Sequence, residues 1–143
     1  MKRKLTVSSA KKKAWNVFSK WIRLRDTSKL GTLCYTCGKY YPMKIMQAGH
    51  FQPGRFPIFL FDERQVHSQC FRDNINLKGN WPRYYEHMIE DYGKEEVEKM
   101  IAQRNDFKQW KLYELEEIYL KYKSKLKAEE IRNLSVDGGQ KGV

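Results

Sequence analysis

Cys34-Tyr35-Thr36-Cys37-Gly38 and Cys70-Phe71-Arg72-Asp73-Asn74 are the two stretches that decide how this chain folds. The first sets two thiols two residues apart with a glycine behind them, a spacing that turns both sulfurs toward one ion. The second repeats the spacing with a carboxylate in the place of a fourth thiol. Cys34, Cys37 and Cys70 are all the cysteines in the chain, too few for a closed disulfide framework. The amino end leads into polar residues rather than an apolar run, so a reducing cytoplasm is the expected compartment. A structural Zn2+ is the natural use of Cys34, Cys37 and Cys70. Asp73 is the fourth ligand by spacing, and His67, also three positions from Cys70, is the alternative.

Charge is distributed unevenly around this centre. Residues 1–30 carry ten Lys and Arg against Asp26 alone, a net of +9. Residues 31–80 carry six against three, and residues 81–143 twelve against thirteen. A basic front half on a chain of net +11 points to a polyanionic partner. No apolar run reaches the roughly 18 residues a membrane span needs, so no membrane partner is expected.

Outward from the cysteines, Ser8 or Ser9 can cap a helix running to about Arg25, with Trp15, Phe18, Trp21 and Ile22 on one face. The other face carries Lys11, Lys12, Lys13, Lys20 and Arg23, either solvated or laid along phosphates. Gln52-Pro53-Gly54-Arg55 breaks the chain after an apolar run ending in Gly49-His50-Phe51. Phe56 to Phe61 reads as a buried strand or hairpin arm. Asn74 to Lys78 should be a short helix ended by Gly79. Trp81 to Tyr92 and Lys94 to Arg104 read as helices parted by Gly93. A last helix over about 108–132 places Leu115, Tyr119, Tyr122 and Leu126 on one stripe. That stripe is core, or alternatively a dimer seam, and a homodimer is the expected assembly. The divisions expected are a basic flexible arm over 1–13, one domain over 14–132, and a disordered tail over 133–143.

Two residues in the centre suit phosphodiester hydrolysis, which needs a base to activate water and a cation to neutralise charge on the phosphate. His50, between the two half-sites, is the candidate base. Asn74, beside the ligand Asp73, is the candidate to offer its amide oxygen to Mg2+ or Mn2+. Gln65, expected opposite on the second strand, is the candidate to orient His50, and Arg55 to contact phosphate. His87 reads as structural.

In order along the chain, several stretches resemble the NinG/Rap family of phage recombination proteins. They are residues 14–19 and 22–26, Cys34-x2-Cys37-Gly38-Lys39, Gln47 to Phe51, Val66-His67-x-Gln69-Cys70, Asn74, Gly79-Asn80 and Tyr92-Gly93. The resemblance spans roughly residues 14–130. It implies an α+β fold: a small zinc-stabilised ββα-metal (HNH-like) core flanked by N-terminal and C-terminal helices. It further implies a divalent-metal-dependent DNA endonuclease acting on branched DNA such as Holliday junctions and D-loops. This chain departs from the pattern in carrying Asp73 where the family has a fourth cysteine. It also has Gly49 where many HNH enzymes have an acid or histidine. The rival reading is a zinc-stabilised DNA-binding recombination mediator without cleavage. His50 and Asn74 weigh against it, since a binding module needs neither.

Overall fold

The computed structural model describes residues 4–54 and 56–140 of the chain. Helix α1 spans Val7–Arg25. Thr6 caps it rather than Ser8 or Ser9: its hydroxyl accepts the Ser9 N–H at 3.1 Å, and the Ser9 hydroxyl accepts the Thr6 N–H at 3.1 Å. This reciprocal pairing satisfies two of the helix's orphan donors. Helix begins at Val7, so residues 7–13, expected as a flexible arm, are ordered into α1.

The buried face of α1 (Ala14, Phe18, Trp21, Ile22) packs against helix α4, Leu112–Gln140. Phe18 meets Phe61 and Tyr122 edge-on, with ring centroids 5.6 and 4.7 Å apart. Such edge contacts add to the gain from burial. Lys13 lies over the Tyr119 ring at 4.2 Å and Lys20 reaches Glu130 at 3.8 Å, so the two helices run parallel. The stripe of Leu115, Tyr119, Tyr122 and Leu126 is therefore intramolecular core. Helix α4 runs to Gln140, where a disordered tail was expected from residue 133; residues 141–143 lie outside the described residues.

In the chain between these helices come two small antiparallel sheets. Strands β1 (Thr27–Ser28), β2 (Gly31–Leu33) and β3 (Tyr40–Tyr41) pair in that order. Strands β4 (Gln47–His50) and β5 (Val66–Gln69) form the second sheet, with Gly49 opposite His67 and His50 opposite Val66. The loop between β4 and β5 carries a 3-10 turn at Pro57–Phe59 instead of a strand. Pro57 fixes φ and removes a donor, which suits a turn better than a ladder. Phe59 and Phe61 are buried from that turn.

After β5 the chain makes one π-helical turn, Arg72–Asn76, then helices α2 (Trp81–Tyr92) and α3 (Lys94–Ala102). Gly93, at φ +86°, ends α2 and starts α3, a left-handed corner that favours glycine. Tyr84 and Met88 of α2 with Val97 and Met100 of α3 enclose Phe51 in a second core. The Tyr84 hydroxyl donates to the carbonyl of Gly49 at 2.8 Å and also lies 3.3 Å from that of Gln65. This ties α2 to the hairpin.

Candidate metal centre and adjoining cleft

The Cys34–Gly38 turn closes through the Gly38 N–H on the Cys34 carbonyl and the Cys34 N–H on the Lys39 carbonyl, both at 2.9 Å. It faces the end of β5, and the result is one cluster. The Sγ atoms of Cys34, Cys37 and Cys70 and a carboxylate oxygen of Asp73 all lie within 4.8 Å of one another. Tetrahedral zinc with thiolate ligands spaces its donors on the order of 3.8 Å apart, so the set is the right size.

Asp73 supplies the strongest test of the fit. Its side chain is fully buried. One oxygen accepts from the Thr36 hydroxyl at 2.6 Å and the Asn80 amide at 3.1 Å. The other, Oδ1, has no hydrogen-bond donor, and its ion-pair contact is Arg72 Nε at 3.7 Å. A buried carboxylate oxygen without a donor is costly unless a cation faces it. The thiols agree. Burial raises Cys34, but the Thr36 hydroxyl and the N–H groups of Cys70, Cys37 and Thr36 outweigh it, leaving the thiol below its ordinary range. Cys70 is pushed up to about 11, by burial and by Cys34 beside it. Neighbouring thiols resist ionising together until a metal supplies positive charge. The residues fit a structural Zn2+, which Cys34, Cys37, Cys70 and Asp73 would hold and which would contribute by folding the turn.

His67, the alternative ligand, is engaged elsewhere. Its Nε2 donates to the Arg64 carbonyl at 2.9 Å and its Nδ1 lies 3.2 Å from Arg25 Nη2. The ring stacks on Tyr35 at 3.8 Å. Burial, then the charge of Arg25, lowers His67 to about 4, so it is a neutral structural residue. Arg25 also donates to the carbonyls of Glu63 and Val66, each at 2.9 Å, and Asp26 accepts the Ser68 N–H at 2.8 Å. The end of α1 thus fixes β5.

On the other side of the π-helical turn opens a cleft of about 830 Å3. Its walls include Lys11, Lys12 and Trp15 of α1, Gly49 and His50 of β4, and Asn74 and Lys78. Residues 8, 11, 12 and 15 of α1 share the face that lines it. The His50 ring stacks on Trp15 at 5.0 Å, and its Nε2 donates to the Leu60 carbonyl at 3.2 Å. That hydrogen bond and the Trp15 stack fix the orientation of the ring in the cleft. Asn74 donates from Nδ2 to Gln47 Oε1 at 2.7 Å. Its Oδ1 approaches Gly49, where a Cβ would stand 2.9 Å away. The same Cβ would lie 1.8 Å from Gln69 Oε1, so only glycine fits here. Gln69 donates to the Thr36 hydroxyl at 3.1 Å and the Gly79 carbonyl at 2.9 Å, linking the metal cluster to the cleft.

Of the expected site residues, His50, Asn74, Lys11 and Lys12 meet in this cleft. Gln65 does not orient His50. It is buried, accepts from Gln52 at 2.8 Å and donates to Asp62 at 3.1 Å, and the Leu60 carbonyl takes the expected role. Lys13 and Lys20 face α4, and Arg23 bonds back to the Ser19 carbonyl at 3.2 Å. Arg55 lies outside the described residues. Lys78, Trp15, Gln47 and Gln69 were missed, because their roles come from tertiary packing rather than spacing.

The family model described as bacteriophage lambda NinG protein matches residues 2–132, nearly the whole chain. The chain belongs to the NinG family. Similar relatives are protein ninG of Escherichia phage 933W, 32% identical over 123 residues, and of Escherichia phage lambda, 30% identical over 123. That of Salmonella phage P22 is 30% identical over 117 residues. These alignments cover 81–85% of this NinG-family chain but only 55–58% of the relatives, so the chain spans little more than half their length. No solved structure matches it.

Proposed function

We propose that this NinG-family chain is a divalent-metal-dependent, HNH-type endonuclease that cuts branched DNA, such as Holliday junctions and D-loops, in phage recombination. The observation that carries the reading is the setting of His50. It stands in an open cleft flanked by Lys11, Lys12 and Lys78, with one ring nitrogen fixed on a backbone carbonyl. A histidine held in this way among the lysines of an open cleft is the candidate general base for a water at a bound phosphate. The β4–β5 hairpin followed by a helical turn supports the ββα-metal reading, with the zinc cluster bracing the turn that carries Asn74.

No carboxylate lines the cleft among the described residues, so Asn74 Oδ1 is the protein ligand we assign to the catalytic Mg2+ or Mn2+. When bound, that ion supplies charge neutralisation at the phosphate and leaving oxygen. The lysines hold the backbone phosphates, and Trp15 and the Leu60 carbonyl keep His50 aimed. We assign a homodimer with this reading, since a junction cut on two strands calls for two such centres.

The test is His50→Ala on a four-way junction beside linear duplex, with Mg2+ present. Cleavage should fall by about 100-fold or more, while zinc content and junction binding stay at wild type. If the variant cuts at the wild-type rate, the mechanism is wrong and a non-catalytic DNA-binding module takes its place.

A further inference from the structure

Beside the cleft lies an aromatic cluster that the reading above does not use. Phe51, the residue after His50, is buried beneath Trp81 and Tyr85 of α2. The three rings are nearly parallel: Phe51 and Trp81 lie 5.9 Å apart at 10°, and Trp81 and Tyr85 4.9 Å apart at 24°. Phe51 and Tyr85 are only 6.5 Å apart. Were Trp81 sandwiched between them, that last spacing would approach the sum of the other two. Trp81 is therefore not sandwiched, and it keeps 39% of its surface exposed.

Its position in the chain adds a second observation. Lys78 and Gly79 line the His50 cleft, while Asn80 and Arg83 line a smaller cavity beside Cys37 and Cys70, together with Lys39 and Arg72. Trp81 lines neither, but it comes just after Lys78 and Gly79 of the cleft wall in the chain, and the second cavity is the recess of the metal cluster. Part of the second cavity's positive charge answers Asp73 and Glu86, which lie 3.7 Å from Arg72 and 3.4 Å from Arg83. An exposed indole set beside two other rings, close in the chain to the lysine-bearing wall of the cleft, matches a polyanion that offers a flat apolar face.

We infer that Trp81 is a stacking platform for an unpaired base at a DNA branch point, with the adjoining phosphates held by the lysines of the neighbouring His50 cleft. This rests on the proposal that the chain acts on branched DNA, and it names the feature that separates branched from linear substrate. In a closed duplex every base is already stacked on its neighbours. A branch releases bases whose π-faces aromatic side chains can take up without regard to sequence.

Binding titrations without Mg2+ or Mn2+, so that no strand is cut, test it. Trp81→Ala should weaken binding to a four-way or three-way junction about tenfold and change linear duplex binding less than twofold. Trp81→Phe, which keeps a ring, should stay near wild type. A 2-aminopurine placed unpaired at the branch should be quenched by the wild type and far less by Trp81→Ala. Circular dichroism and zinc content check that the variants fold. If Trp81→Ala does not fold, Trp81→Phe and the wild-type quench decide alone. Wild-type affinity for branched DNA in a folded Trp81→Ala, or no quench by the wild type, overturns the platform. If that happens while the wild type still cuts junctions, the nuclease reading stands without it. If the wild type never cuts but distinguishes branched DNA through Trp81, the nuclease reading falls and the platform stands.

Discussion

The metal cluster and the His50 cleft lie on either side of one helical turn, yet they are built by opposite rules. In the cluster, Asp73 is sealed from water and every donor converges on one point. In the cleft, consecutive residue Asn74 faces an open space rimmed by lysines. The first is a closed set whose value lies in what it holds rigid. The second is open, as the proposed DNA substrate requires. The difference teaches that a single residue step, Asp73 to Asn74, separates the candidate metal cluster from the cleft, so the position of the cleft's Asn74 depends on how that cluster is held.

Removing the metal is the harshest way to break that pairing. One zinc per chain is expected, and stripping it should disorder the Cys34–Asn80 stretch and the cleft with it. Binding in such small sites supplies on the order of 10 kcal/mol of folding energy. The α1–α4 pair, held by apolar burial, should retain most of its helical signal. Metal analysis with circular dichroism checks this, and a zinc-free chain that is fully folded would end the idea.

A milder break lies in the hairpin that both regions share. His67 is neutral in the fold, with its ionisation lowered to about 4 from an ordinary 6.5. The unfolded chain takes up the proton first as pH falls. Stability from this residue is therefore complete above about pH 6.5 and drains away between there and about pH 4. The loss should reach about 2 kcal/mol by pH 5. Denaturant unfolding at pH 7 and pH 5, for wild type and His67→Phe, isolates it. Any loss from zinc release is common to both proteins, so equal pH dependence would show that His67 is not the source.

The smallest expected effect belongs to the cleft alone. Replacing Lys11 and Lys12 with alanine should flatten the salt dependence of DNA binding by up to about 2 in slope, with stability unchanged. Replacing Lys13 and Lys20, which face α4, should leave the slope near wild type. A reversed result would move the phosphate contacts to the other side of α1.

How much of this was legible depended on how local each signal is. The ligand set was readable because Cys-x2-Cys and Cys-x2-Asp fix donors within a single turn, and the ends of α2 were readable from Pro82 and Gly93. The start of α1 was misread because Thr6 and Ser9 form their pairing one turn earlier than a lone capping serine suggests. Phe56 to Phe61 looked like a strand because a short aromatic run has no period of its own. The group that orients His50 could not be read at all. It is a backbone carbonyl, at Leu60, and carbonyls leave no mark in a sequence. Gln65, the side chain expected there, turns instead toward Gln52 and Asp62.

The parallel α1–α4 pair also sets an order of events at the ribosome. The four metal ligands lie within residues 34–73, and all have emerged long before α4 is made. Phe18, by contrast, waits for Tyr122, at the far end of the chain, to cover it. A nascent chain can therefore close its small metal loop and bring Phe61 to Phe18 early, while the side of α1 that faces α4 stays uncovered until synthesis is nearly over. In that interval the metal cluster works beside the contacts that tie the end of α1 to β5, Arg25 on the Glu63 and Val66 carbonyls among them. The side of α1 that awaits α4 is the segment a chaperone would meet.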